Sequence, residues 1–268
     1  MLPEDYIISW KKEAPWRLDS QVEQDLILSR LLVELFSNEI ISKRLIFRGG
    51  TALYKLYYKK SVRYSEDIDF VQKEAGPIGE VMGQIRKICN PILGEPNWKQ
   101  TKNRVTFYYK SRSEIPPAVP LKFKIEINTR EHFTVFGDNR KKFSVDSRWF
   151  RGESTIVTYS LEELLGTKMR ALYQRKKGRD LFDIWYGLKY GKAEIEKIVE
   201  TFRKYLKSPA VSKKEYFNNL NEKISEPGFR KDTDLLLNPG IDYSPDTGYE
   251  LFAEKLDGFN NKFKLNQN

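Results

Sequence analysis

Two regimes of hydrophobic patterning divide the chain. Up to about residue 155, short runs of alternating apolar and polar residues dominate; beyond it, apolar residues recur at helical spacing. Residues 20–37, SQVEQDLILSRLLVELFS, carry a helical stripe through Val22, Leu26, Leu28, Leu32 and Leu35, with Ser20 as the expected cap. RLIFRGG reads as a short buried strand ending in a glycine turn, and TALYKLYY as a helix beginning there. DIDFV, residues 67–71, is a predicted strand, and GEVMGQIRKICN a predicted helix that Pro91 ends. RVTFYYK and LKFKIEIN are alternating strands separated by a proline loop, Ile115–Pro120. Helices follow in residues 160–175, opened by the capping box Ser160…Glu163, then in DLFDIWYGLKY, AEIEKIVETFRKYL and KKEYFNNLNEKI. The last forty residues, rich in Asn, Gly, Pro and Asp, show no clear period. The pattern predicts an α/β amino-terminal half, 1–155, and a helical carboxy-terminal half, 156–268.

Composition narrows the chemistry. A single cysteine, Cys89, excludes a disulfide framework, and a single histidine, His132, excludes His-cluster zinc sites and makes a histidine-based triad a poor expectation. Both are read as structural. Catalysis, if present, falls to carboxylates, lysine and hydroxyls. Forty-seven Lys and Arg against 37 Asp and Glu leave a charge of +10, which points to a polyanionic partner such as nucleic acid. No run has the length of a membrane helix and the first residues lack a signal-peptide core, so the expectation is a cytoplasmic protein without a membrane partner.

The first candidate site is the turn Gly49-Gly50-Thr51, where a strand feeds a helix and free backbone N–H groups suit a phosphate. Asp67 and Asp69 stand two apart on a strand and so project together, while Ile68 and Phe70 enter the core. Two adjacent carboxylates repel unless a cation lies between them, and magnesium takes oxygen ligands and substrate phosphates. Glu126 lies on the polar face of its strand, beside Lys122, Lys124 and Asn128, where it either joins the two aspartates or pairs with a neighbouring lysine. Three convergent acids are what a two-metal nucleotidyl-transfer site needs.

Lys168 interrupts the apolar stripe Leu161, Leu164, Leu165, Leu172 and either snorkels to solvent or meets an anion. Asp180 and Asp183 share one face of the next helix; Asp180 is a candidate cap, and Asp183 needs another role, such as a contact with Lys168 or a catalytic water. Arg175, Lys176, Lys177 and Arg179 form either a phosphate patch or a solvated loop. The aromatic residues of RVTFYYK alternate between core and surface, with a base-stacking platform as the secondary reading.

The combination Gly49-Gly50-Thr51-Ala52-Leu53 and Arg63-Tyr64-Ser65-Glu66-Asp67-Ile68-Asp69-Phe70, followed by Lys168 and Arg179-Asp180-Leu181-Phe182-Asp183-Ile184-Trp185, resembles the AbiEii/AbiGii toxin family of nucleotidyltransferase-fold proteins, which includes the MenT toxins. The likeness spans roughly residues 25–190, and the tail after about 205 adds nothing to it. It implies a DNA polymerase β-like nucleotidyltransferase core with a mixed sheet over 1–155. A helical domain over 156–268 would contribute Lys168 and Asp183 to the cleft. The implied activity is that of a type IV toxin–antitoxin or phage-defence toxin transferring NMP from an NTP to RNA, with the tRNA 3′ end as acceptor.

Ser65, Asp67, Lys168 and Asp183 match the family's active-site set, and Asp69 fits its second metal carboxylate. Glu126 joins them through strand alternation. The resemblance thus implies Asp67, Asp69 and Glu126 for Mg²⁺, or Mn²⁺ in its place, and Gly49, Gly50, Thr51, Ser65, Lys168 and Asp180 for the nucleotide. It also implies a cognate antitoxin encoded nearby. Ser65 is an inhibitory phosphorylation site in some systems of the family. The rival readings are a nucleotidyltransferase acting on a protein or small molecule, and a non-catalytic RNA- or antitoxin-binding module.

Overall fold

A computed structural model describes residues 2–58, 61–206 and 211–258. The chain opens with α1 (Glu4–Trp10), α2 (Asp19–Ser37) and α3 (Glu39–Arg44). The stripe predicted over 20–37 forms α2, but the helix starts ahead of Ser20: Leu18 takes the cap position and its N–H donates to the Gln21 side chain at 3.4 Å. β1 (Leu45–Arg48) runs into a single helical turn, α4 (Gly49–Ala52), which widens into a π-helical turn over Leu53–Tyr57. β2 (Asp67–Gln72) and α5 (Gly79–Leu93) follow. Pro91 lies inside the last turn of α5 and does not end it. The helix stops at Gly94, whose φ of 78° supplies the left-handed turn that closes a helix.

Next come β3 (Asn97–Thr101), β4 (Arg104–Arg112), β5 (Pro120–Asn128), β6 (Asn139–Asp146) and β7 (Arg151–Thr158). The seven strands form one mixed sheet in the order β3-β4-β5-β2-β1-β7-β6. β2 lies antiparallel to β1 and parallel to β5, so the acid-bearing strand is central. Alternation gives this sheet one apolar face. Phe47, Ile68, Phe70, Val105, Phe107, Tyr109, Phe123 and Ile125 are all buried, and Phe36 of α2 packs its ring at a tilt of 59°, centroid 5.9 Å from that of Phe70. The other face holds Asp67, Asp69, Lys124 and Glu126.

The described chain divides into two compact units, Met1–Tyr159 and Ser160–Asn268. The regular elements described in the second are all helices: α6 (Leu161–Gln174), α7 (Gly178–Lys189), α8 (Ile195–Leu206), α9 (Lys213–Ile224), α10 (Pro227–Lys231) and α11 (Pro245–Asp257). Only the serine half of the expected capping box forms: Ser160 Oγ accepts the Glu163 N–H at 3.1 Å, while the buried Glu163 carboxylate accepts from Tyr205 OH at 2.8 Å. Residues 259–268 of the expected helical half lie outside the described residues. No described helix is long and apolar enough to cross a membrane.

Candidate functional site

The amino-terminal constellation is built where β1 hands over to α4. Gly49 has φ 84°, a conformation L side chains rarely adopt, and a Cβ there would stand 2.4 Å from Asp69 Oδ2. A Cβ on Gly50 would stand 2.3 Å from Arg63 Nη2 and 3.2 Å from Ser65 Oγ. The two glycines therefore let backbone lie directly against Asp69, Arg63 and Ser65. Thr51 fixes the same corner: its buried hydroxyl donates to the Asp67 carbonyl and lies 2.9 Å from Ser65 Oγ.

Strand register assembles the charges. Asp69 faces Arg48 across the β1–β2 pair and Glu126 across the β2–β5 pair, and Asp67 faces Lys124. Lys124 Nζ lies 2.8 Å from Asp67 Oδ2 and 3.8 Å from Glu126 Oε2, and Arg104 Nη1 lies 3.3 Å from Glu126 Oε2. Arg48 Nη1 donates to Glu131 Oε2 at 2.8 Å, and Asn128 Nδ2 donates to that same oxygen at 3.2 Å. Burial and the charge of Asp67 push the Asp69 carboxyl above its ordinary range, against the pull of Lys124 and Arg48. Burial works against the Lys124 ammonium, yet its hydrogen bond to Asp67 and the surrounding acids raise its pKa. Among the described residues, no three His, Cys, Asp or Glu side chains are gathered as a metal centre. The cation standing between Asp67 and Glu126 is Lys124.

The second constellation lies in the helical unit. Lys168 is buried, with Nζ 3.0 Å from Asp180 Oδ1 and 2.9 Å from Asp183 Oδ2. Both aspartates are buried as well. Arg175 completes a neutral quartet, its Nε and Nη2 reaching Asp180 at 2.7 and 2.9 Å. Burial would raise the Asp180 carboxyl, but Lys168 and Arg175 hold it down to about 2. Asp180 is no cap, since α7 begins at Gly178 with Lys177 before it. The basic loop has acid partners throughout: besides Arg175, Lys176 meets Glu226 at 2.6 Å, Lys177 meets Asp232 at 3.7 Å, and Arg179 grips Asp232 through both ends of its guanidinium at 2.9 Å.

Gly49, Gly50, Thr51, Ser65, Asp67, Asp69 and Glu126 thus come together in the first unit, and Lys168, Asp180 and Asp183 in the second. Lys124, one of the two lysines weighed as a partner for Glu126, is found beside it and beside Asp67, whereas Glu131, the partner of Arg48, is a residue that sequence reasoning passed over. Lys124 carried a signal, sharing the polar face with Glu126, whereas Glu131 lies 83 residues from Arg48 and carried none. Cys89 is buried, its thiol pushed up to about 12 by that burial, and His132 Nδ1 sits 2.9 Å from the Gln72 carbonyl. Both positions are structural.

The model of the AbiEii nucleotidyl transferase toxins of type IV toxin–antitoxin systems matches residues 30–264. That span corrects the expectation that the tail after about 205 lies outside the likeness. Among solved structures, MenT4, a nucleotidyltransferase toxin from Mycobacterium tuberculosis H37Rv, is similar with a TM-score of 0.70 at 15% identity, over 96% of this chain and 90% of that one. JHP933 from Helicobacter pylori is similar with a TM-score of 0.56 at 19% identity, over 89% of this chain and 91% of that one. No curated protein matches the sequence significantly.

Proposed function

The chain belongs to the AbiEii family of nucleotidyltransferase toxins of type IV toxin–antitoxin systems; from that premise we propose that it transfers NMP from an NTP to the 3′ end of an RNA, with tRNA as the acceptor. In this reading it acts in the cytoplasm, in a toxin–antitoxin or phage-defence system, and is restrained by a cognate antitoxin encoded nearby. The observation that carries the reading is the Asp67–Asp69 pair on the polar face of β2, with Gly49 against Asp69 and Gly50 against Arg63 and Ser65.

The donor chemistry fits magnesium, or manganese in its place. Asp67 and Asp69 offer only oxygen, and burial together with the charge of Asp67 raises the Asp69 carboxyl, a repulsion that a bound cation would relieve. These two residues would hold the ion, with Glu126 on the adjoining strand in support. Bound there, the metal would offset the negative charge that builds on the phosphate oxygens during in-line displacement. The acceptor hydroxyl forms a bond to the α-phosphorus as the bond to pyrophosphate breaks. We assign the backbone of Gly49, Gly50 and Thr51 and the hydroxyl of Ser65 to the triphosphate. On the family's pattern Lys168 and Asp180 also serve the nucleotide, with Asp183 orienting the Lys168 ammonium.

Incubation with α-labelled NTPs, followed by separation of RNA and protein pools, tests the reading. Label is expected in RNA. Asp67→Ala and Asp69→Ala are expected to lower transfer roughly a hundredfold or more with folding retained. Label confined to protein or a small molecule, or full activity in a folded aspartate variant, overturns it.

A further inference from the structure

The sheet face that carries the acid pair continues toward the β3 edge, and its character changes within two strands. Lys124, opposite Asp67, is itself opposite Tyr108 of β4. In the adjoining row, Glu126 is opposite Thr106, and Thr106 is opposite Lys99 of β3. Lys122 and Lys110 face each other one step further along. Tyr108 is 46% exposed, although Phe107 and Tyr109 on either side of it are buried. Lys99, Lys110 and Lys122 are exposed too, and none pairs with an acid among the described residues. The loop 175–179 is different, since each of its cations already has a carboxylate.

We propose that this face, Tyr108 with Lys99, Lys110 and Lys122, is the track along which a single-stranded RNA acceptor lies. The inference rests on the function proposed above and adds where the acceptor binds. Three uncompensated cations complement a phosphate backbone. A flat aromatic ring among them offers a base something to stack on. Two strand spacings, about 10 Å, separate Tyr108 from Asp67, so an RNA end at the acid pair has its neighbouring bases within reach of the ring.

The test uses the full chain, a short fluorescein-labelled single-stranded RNA and fluorescence anisotropy across a salt series. Tyr108→Ala is expected to weaken binding about 5- to 100-fold, while Tyr108→Phe, which keeps the ring, binds like the parent. The triple variant Lys99→Gln, Lys110→Gln, Lys122→Gln is expected to flatten the dependence of log affinity on log salt by about two. All four side chains are exposed, so melting temperature and NTP binding should stay at parental values in every variant. Unchanged affinity in Tyr108→Ala, or an unchanged slope in the lysine variant, overturns the assignment. If the parent labels RNA and the variants label it equally well, the track alone fails. If the parent labels no RNA, the proposed function fails first.

Discussion

Asp69 lies where several forces oppose one another. The carboxylate fills the space a Cβ on residue 49 would need, and Asp67 and Glu126 repel its charge, while Arg48 and Lys124 attract it. A group placed this way favours binding over stability. Asp69→Asn should therefore melt higher than the parent without divalent ions, by about 2–4 °C for each kcal/mol of repulsion removed. Magnesium should raise the melting temperature of the parent and leave that of the variant unchanged; thermal denaturation with and without the ion checks both. Alternation alone puts Asp67 and Asp69 on one face and Glu126 on the polar face of its own strand. Alternation does not give register, and the pairing of Asp67 with Lys124 becomes visible only once β2 and β5 lie side by side.

At the scale of elements, the α6–α7 pair turns on one charge quartet, in which Lys168, Asp180 and Asp183 are buried and Arg175 is exposed. Asp180 is held at about 2 against an ordinary 3.8, so its contribution is complete above the ordinary carboxylate range and disappears as pH falls toward 2. That shift corresponds to about 2 kcal/mol. The helical unit should lose stability between about pH 4 and pH 2, and Asp180→Asn should flatten the loss while lowering stability at pH 7; circular dichroism melts across that range check it. Lys168→Met should also destabilise, by about 3–5 kcal/mol, because it removes a buried cation from between two buried carboxylates. Of the two sequence readings of Lys168, snorkelling to solvent and meeting an anion, the geometry carries the second, the anions being Asp180 and Asp183.

Elements with a two-sided pattern are legible in sequence, as β2, β4 and β5 show. β3 is exposed along its whole length and β6 along much of it, with Arg140, Lys141 and Lys142 in the run, so backbone pairing alone defines them. β7 buries only its last three residues. α11 did carry a signal, Ser244-Pro245 with Thr247 closing the cap, which the surrounding Asn, Gly and Asp obscured.

Over the whole molecule, the periodicity changes near residue 155, and the described chain parts into two compact units between Tyr159 and Ser160. Charge is the property least legible at this scale. The excess of ten positive charges says nothing about which cations are already matched, and the most conspicuous basic run, 175–179, is neutralised locally. The unmatched lysines sit on strands that alternate with core residues, where each counts as one ordinary surface position.

Lys124 gives the acid-bearing strand a counter-ion that is part of the polypeptide. Biogenesis of the toxin then need not wait for metal. The newly made chain should complete its sheet in a chelated or magnesium-poor environment and persist as a folded protein. EDTA should halt transfer at once and leave the melting curve close to that of the metal-free parent, unlike a zinc finger, which unfolds when its metal is withdrawn.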